Sequence, residues 1–198
     1  MIKITLICLL FIVSGCSSTP KPQTKYFVLT PDTQSTSTAV TKTLENDSRE
    51  VIVIEAIKLA EFLDQPGIIQ QKDAHQIEIA HYHRWGEPLK RNLHRYFLET
   101  LTNQLPQYNV QYFRSNNEEI PSLSLLIYVN QFHGTTAGSA LFSGNWILSK
   151  SGSETQIINA PFSYQTPLTD SGFPALVNQL AQSLDQLCGD IAKAVNNK

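Results

Sequence analysis

Cysteine is scarce: Cys8, Cys16 and Cys188 are the only three in 198 residues, too few and too widely spaced for a disulfide framework or for a zinc site with Cys-x-x-Cys spacing. Long apolar runs are scarce as well. The run Ile4–Val13 has about half the ~20 residues a helix needs to cross a bilayer, so it is not a permanent membrane span. Neither charge is in excess, with 15 Lys and Arg against 17 Asp and Glu, and no basic cluster marks a nucleic-acid face. A G-x-S-x-G nucleophile elbow is absent, and so is a glycine-rich loop able to cradle phosphate. No repeat is regular enough to indicate internal duplication. These gaps remove the common disulfide-rich, nucleic-acid-binding and nucleotide-binding classes.

The N-terminus carries the strongest positive signal. Lys3 precedes Ile4–Val13, and the small residues Ser14 and Gly15 lead directly into Cys16. A positive charge, a short apolar run and a small-residue cleavage site compose a secretory signal. Val13-Ser14-Gly15-Cys16 resembles the lipobox of bacterial lipoproteins, which implies cleavage between Gly15 and Cys16 and acylation of the Cys16 thiol. Several acyl chains, at ~0.8 kcal/mol per buried CH₂, hold a protein on its membrane where a single myristoyl chain binds only marginally. Ser17 comes next. In bacteria with two membranes an aspartate there retains lipoproteins at the inner membrane, so its absence points to the periplasmic face of the outer membrane.

Cleavage removes Lys3 and Cys8, leaving 14 of the 15 basic residues against 17 acidic ones, a formal charge of about −3. With Cys16 acylated, Cys188 is the one remaining thiol. It lies beside the stripe Leu180, Leu184, Leu187, Ile191, Val195, and helical burial suits it better than an intermolecular bridge.

The domain organisation is then a cleaved signal peptide over 1–15, a lipidated tether over 16–25 with Ser, Thr and two prolines, and one folded domain over 26–198. Residues 30–50, polar and without apolar period, read as a flexible loop inside it. Tyr26–Leu29 is a short strand and the β-branched run Val51–Ile54 a buried one that continues to Ile57. Gly67–Gln71 and Gln76–Ala80 form a hairpin in which Ile77 and Ile79 alternate with polar neighbours. From Pro88 the period lengthens: Leu89, Leu93, Phe97, Leu101 and Leu105 face one way, and Lys90, Arg91, His94 and Arg95 face another. Pro106 ends that helix. Leu123–Val129, Ala140–Lys150 and Thr155–Tyr164 are further strands, and Ala175–Asn196 is the closing helix. Strands grouped in runs predict a single α+β domain: a largely antiparallel sheet with two amphipathic helices packed on it.

Few residues suggest chemistry. His81 and His83 share a strand face and could chelate a metal with His75 or Asp73, but no zinc-type spacing supports it. Ser139 and Ser143, with His133 in what reads as a loop between strands, lack an orienting carboxylate for hydrolysis. No cofactor, metal or enzymatic activity is therefore expected. Trp85-Gly86-Glu87-Pro88-Leu89 is the most distinctive stretch. It reads as a helix entrance, with Pro at the first turn and Trp covering the core edge; Trp85 and Glu87 are also candidate contacts to a partner or a second copy.

The chain resembles the ABC-type transport auxiliary lipoproteins, the PqiC family. The resemblance rests on Tyr26-Phe27-Val28-Leu29 after the lipobox, the run Phe62–Ile69, Trp85–Leu89, Ile127–Phe132, Gly144–Leu148 and the closing Leu184–Ala192 helix. The family more often has alanine where Gly86 stands. The resemblance implies a non-catalytic outer-membrane lipoprotein that forms a homo-oligomeric ring. Its partner would be a PqiB-like, MCE-domain protein and, through it, an inner-membrane transport component, moving lipid between membranes and supporting envelope integrity. A plug or assembly factor for an outer-membrane β-barrel, and a periplasmic lipoprotein hydrolase, are the competing readings.

The lipobox makes two measurable claims. Membrane fractionation is expected to recover the mature chain with the outer membrane, and recovery with the inner membrane would defeat the sorting assignment. Cys16→Ala is expected to leave a folded domain that no longer fractionates with that membrane.

Overall fold

In the computed structural model, which describes residues 22–31, 49–112, 121–153 and 155–198, the apolar patterns resolve into eight strands and two helices. The signal segment, Cys16, most of the 16–25 tether and residues 32–48 of the expected loop lie outside the described residues. In chain order the elements are β1 (Lys25–Phe27), β2 (Glu50–Leu59), β3 (Gly67–Gln71), β4 (Ile77–Trp85), α1 (Leu89–Gln104), β5 (Tyr108–Tyr112), β6 (Leu123–Thr135), β7 (Ser139–Lys150), β8 (Gln156–Pro167) and α2 (Phe173–Asn196). A 3₁₀ turn, Glu61–Leu63, links β2 to β3.

All the strands form one mixed sheet organised around β6. Its longest ladders, β6 with β7 and β7 with β8, are antiparallel, as is the β3–β4 hairpin. The largely antiparallel α+β class is therefore what the chain adopts, with a parallel minority: β6 pairs in parallel with β2 over Leu123–Val129, then with β3 at Gly134 and Thr135. Strand β5 adds in parallel to β2, and β1 in parallel to the end of β4.

Both helices pack on one face of the sheet. On α1, Leu89, Leu93, Phe97, Leu101 and the following Leu105 are buried; on α2, Leu180, Leu184, Leu187, Cys188, Ile191 and Val195 are buried. Each large aliphatic chain so removed from water contributes ~1.5–3 kcal/mol. The helices also touch each other, and the buried Tyr96 hydroxyl of α1 donates to the Asp185 carboxylate of α2 at 2.8 Å. Burial, with a smaller push from Asp185, raises the Cys188 thiol pKa and keeps it protonated. No described helix is long and apolar enough to cross a membrane.

Three features depart from the sequence expectations. Strand β5 is an addition, built from Tyr108–Tyr112 just past Pro106. Strand β6 does not end near Val129 but continues to Thr135, so His133 is a buried strand residue and not part of a loop. The reason is a bulge: Val129 pairs with Gly144 and Gln131 with Ser143, leaving Asn130 as the extra residue. Alternation shifts by one there, so Leu123, Leu125, Ile127 and Val129 face the core before it and Phe132 after it. Finally, Ile77 and Ile79 are exposed.

Gly144 is required by the same irregularity. A Cβ there would stand 1.9 Å from the Tyr128 carbonyl oxygen and 2.8 Å from Cζ of Phe162. Gly189, in the middle of α2, has open space around the same position. Gly144→Ala is expected to lower stability by about 3 kcal/mol. Gly189→Ala is expected to raise it by up to ~1 kcal/mol through helix propensity. Thermal melts of the two variants check this, and equal melting temperatures would contradict the assigned role of Gly144.

Candidate functional site

The stretch Trp85–Leu89 sits where β4 ends and α1 begins, and two backbone bonds hold it. The Trp85 N–H donates to the Pro66 carbonyl at 2.8 Å, and the Gly86 N–H to the Phe27 carbonyl at 2.7 Å. Three separate segments are thereby joined at one point. The Trp85 ring is only 6% exposed and packs against Phe132 at 6.0 Å, starting a run of rings that continues through Phe142 to Phe162. Trp85 thus covers the core edge and lines a cavity of about 290 Å³, together with Asp64, Gln65, Pro66, Glu87 and Pro88.

Glu87, one turn before the helix is established, forms an ion pair with Arg95 at 2.5 Å. Arg95 also donates from Nη2 to Asn92 Oδ1 at 3.1 Å. Beyond this pair a groove of about 600 Å³ runs along α1, lined by Lys90, Arg91, His94, Leu98 and Tyr112. The first turn of α1 has no acidic residue and no side-chain cap, so Lys90 and Arg91 add their charge to the positive end of the helix dipole. A recess of this kind attracts an acidic surface or an anion.

His94 has a structural task in the same groove. Among the described residues β5 pairs with β2 as far as Ile54, and farther along β2 the Ile57 N–H donates to His94 Nε2 at 3.1 Å. The ring stacks on Tyr112 with centroids 5.4 Å apart. Burial, then Lys90, lowers the His94 pKa and keeps the ring neutral, the state able to accept that bond. Tyr112 is pushed up to about 12, chiefly by burial, with Arg95 opposing and Glu87 adding.

The other residues singled out from sequence are dispersed or occupied. His83 lies flat on Phe173 with ring centroids 4.0 Å apart, while His81 is exposed beside Tyr82. Among the described residues no group of three or more His, Cys, Asp or Glu is placed to hold a metal. Ser143 donates to Gln131 Oε1 at 2.8 Å, and the Ser139 N–H donates to the Thr135 hydroxyl. His133 lies under Phe62, its Nδ1 3.0 Å from the Gly134 carbonyl oxygen. Cys16 and Gly15 lie outside the described residues.

Sequence reasoning separated Lys90, Arg91, His94 and Arg95 from the core face, but Tyr112 and the groove they share required β5 to be placed. It missed a second feature: Tyr26, Val28, Ile77, Ile79 and Tyr82 are all exposed along the β1–β4 edge. The alternation at Ile77 and Ile79 carried no sign of this, since period two shows that a strand has two faces and not which of them is covered.

Residues 27–192 match the family described as ABC-type transport auxiliary lipoprotein component. The chain is 25% identical over 185 residues to the intermembrane transport lipoprotein PqiC of Escherichia coli K12, covering 92% of this chain and 91% of that protein. The Shigella flexneri protein of the same name matches to the same extent. Among solved structures, a crystal structure of an uncharacterised protein aligns with a TM-score of 0.72 at 24% identity, over 87% of this chain and 99% of that one. A protein from Xanthomonas campestris aligns at 0.61 and 17% identity, over 72% of this chain and 81% of that one. The two crystal structures share the fold.

His94 and His133 make stability depend on pH. Burial is the leading cause of a lowered pKa at both, with Lys90 reinforcing it at His94 and the Gly134 carbonyl opposing it at His133. As pH falls, the unfolded chain takes up protons first, near the ordinary value of about 6.5. Stability present above about 6.5 is therefore lost as pH drops toward the lower folded-state values. Thermal melts are expected to show a falling Tm below that pH. The double variant His94→Gln, His133→Asn, which keeps an acceptor for the Ile57 N–H at 94 and an N–H donor for the Gly134 carbonyl at 133, is expected to flatten the profile; an unchanged slope would remove these histidines as its cause.

Proposed function

The chain belongs to the ABC-type transport auxiliary lipoprotein family, and we propose that it serves as the outer-membrane-anchored, non-catalytic subunit of an MCE-type, PqiB-like intermembrane lipid transport system that supports envelope integrity. The observation that carries this is the near full-length likeness to a protein named for intermembrane transport, 92% of this chain against 91% of that one. The lipobox at Cys16 supports it, because a subunit that couples a periplasm-spanning partner to a membrane has to be held on that membrane.

In this role the anchor and the folded domain divide the work. The acyl chains on Cys16 resist detachment, and the domain offers a rigid surface to the partner. We assign the partner contact to the basic groove along α1, which adjoins the Trp85 cavity at Glu87 and Pro88. The core holds Trp85, the Glu87–Arg95 pair orders the recess mouth, and Lys90 and Arg91 at the exposed rim supply the charge that an acidic partner surface would meet. Charge complementarity of this kind sets orientation and encounter rate more than raw affinity. Lipid tethering raises local concentration, so weak lateral contacts between copies suffice to assemble a ring.

A pull-down of the mature lipoprotein from detergent extract tests the assignment. An MCE-domain protein is expected to co-purify, and the double variant Lys90→Glu, Arg91→Glu is expected to reduce its recovery at least ~tenfold while the melting curve stays unchanged, because like charges juxtaposed in an interface cost several kcal/mol. Co-purification of an outer-membrane β-barrel in place of an MCE-domain protein would transfer the assignment to the plug or assembly reading. Undiminished recovery with the variant would remove the recess from the partner contact.

A further inference from the structure

Among the described residues six large apolar side chains are exposed, and five of them, Tyr26, Val28, Ile77, Ile79 and Tyr82, lie on the sheet edge formed by β4 and β1. The sixth, Ile157, is on β8. Tyr26 is the most exposed of the set at 67%. Concentration of exposed apolar groups on one edge marks an interaction surface.

Topology connects this edge to the anchor. Strand β1 reaches only His83–Trp85 of β4 and runs parallel to it, with Lys25 opposite His83. The chain upstream of Lys25 therefore leaves alongside β4, in the direction of Tyr82, Ile79 and Ile77. Nine residue steps separate Cys16 from Lys25, a reach of ~30 Å at full extension. Whatever membrane holds Cys16 lies within that distance of the edge.

We propose that the β4–β1 edge rests on the phospholipid surface to which Cys16 is anchored, a proposal that depends on the lipoprotein reading above. The five side chains run along the edge, from Ile77 and Ile79 at the hairpin end of β4 through Tyr82 to Tyr26 and Val28 beside its last residues, past an irregularity of the β3–β4 ladder between Ile79 and Arg84. An approach along the edge of β4 collects them all. Tyrosine favours the headgroup level, where its ring and its hydroxyl both find suitable surroundings. Lys25 and Arg84 stand beside the apolar chains; the one carboxylate on β1 and β4, Glu78, is paired with Lys72 at 2.8 Å, and Asp73 in the adjoining turn accepts from the His75 and Gln76 N–H groups, so the edge suits an anionic headgroup layer. Contact stays at headgroup depth, because the outer N–H and C=O groups of β4 before His83, which no described strand pairs, would be costly in hydrocarbon. The competing occupant of an open strand edge is a strand from a second copy.

Single-cysteine variants of the mature lipidated protein distinguish the two. Val28→Cys, Ile79→Cys and Tyr82→Cys, with Ile157→Cys as reference, are labelled with an environment-sensitive fluorophore; Cys16 is acylated and Cys188 is buried, so neither competes. In vesicles of phosphatidylethanolamine and phosphatidylglycerol carrying a headgroup-level nitroxide lipid, quenching at the three edge positions is expected to exceed that at 157 by at least about threefold, as for groups seated ~5–10 Å into the headgroup boundary. Flotation with the vesicles but equal, weak quenching at all four positions overturns the surface and leaves the anchor standing. Unquenched edge labels that instead transfer energy between copies assign the edge to a second copy and overturn the proposal. Failure to float removes the anchor and this surface together.

Discussion

Strand β6 serves three neighbours, and the rest of the fold hangs from it. One edge is occupied by β7 for almost its whole length; the other is divided between β2 and β3, with the 3₁₀ turn at Glu61–Leu63 covering the gap. A strand can hold two successive partners on one edge only if its course adjusts between them. The bulge at Asn130 provides that adjustment, and it in turn brings the Tyr128 carbonyl so close to β7 that only glycine fits opposite. The Phe162 ring fills the space a larger residue at 144 would have taken, so one irregularity in hydrogen bonding becomes a requirement on side chains in two further strands.

The candidate surfaces follow from that arrangement. Because β3 joins β6 past the bulge, the β3–β4 hairpin projects beyond β2, and β4 has only the three-residue β1 as an outer neighbour. The edge is therefore open and apolar. At the end of β4 that pairs with β1, Trp85 is drawn into the core by Phe132, itself turned inward by the bulge, and this fixes the start of α1. The basic groove then lies along the flank of α1 beside the sheet margin, with Tyr112 of β5 as its far wall and His94 reaching the backbone of β2. An apolar edge and a basic groove are thus connected through β4 and the helix that follows it.

Several elements were legible because local spacing carries them. Leu89 to Leu105 on α1 and Leu180 to Val195 on α2 announce their buried faces by helical period, and Cys188 could be assigned to the core from its place beside that stripe. The hairpin and the helix entrance at Pro88 rest on residue chemistry that acts over a few positions. Strand β5 was passed over although Tyr108, Val110 and Tyr112 alternate with Asn109 and Gln111; five residues directly after Pro106 are a short signal, and pairing with β2 is what makes them a strand.

The sequence by itself determined the class of fold, the membership suggested by its motif order, the expected lipidation at Cys16 and the separation of Lys90, Arg91, His94 and Arg95 from the core face of their helix. Each of these is carried by local residue patterns or by their order along the chain. Only the tertiary structure decided that β6 bulges, that Phe132 and not Gln131 faces inward, that His94 closes the edge of β2, and that Ile77, Ile79 and Tyr82 stay in solvent. Each of those outcomes turns on which strand or helix from elsewhere in the chain occupies a neighbouring position, and period-two alternation carries no information about a neighbour that is absent.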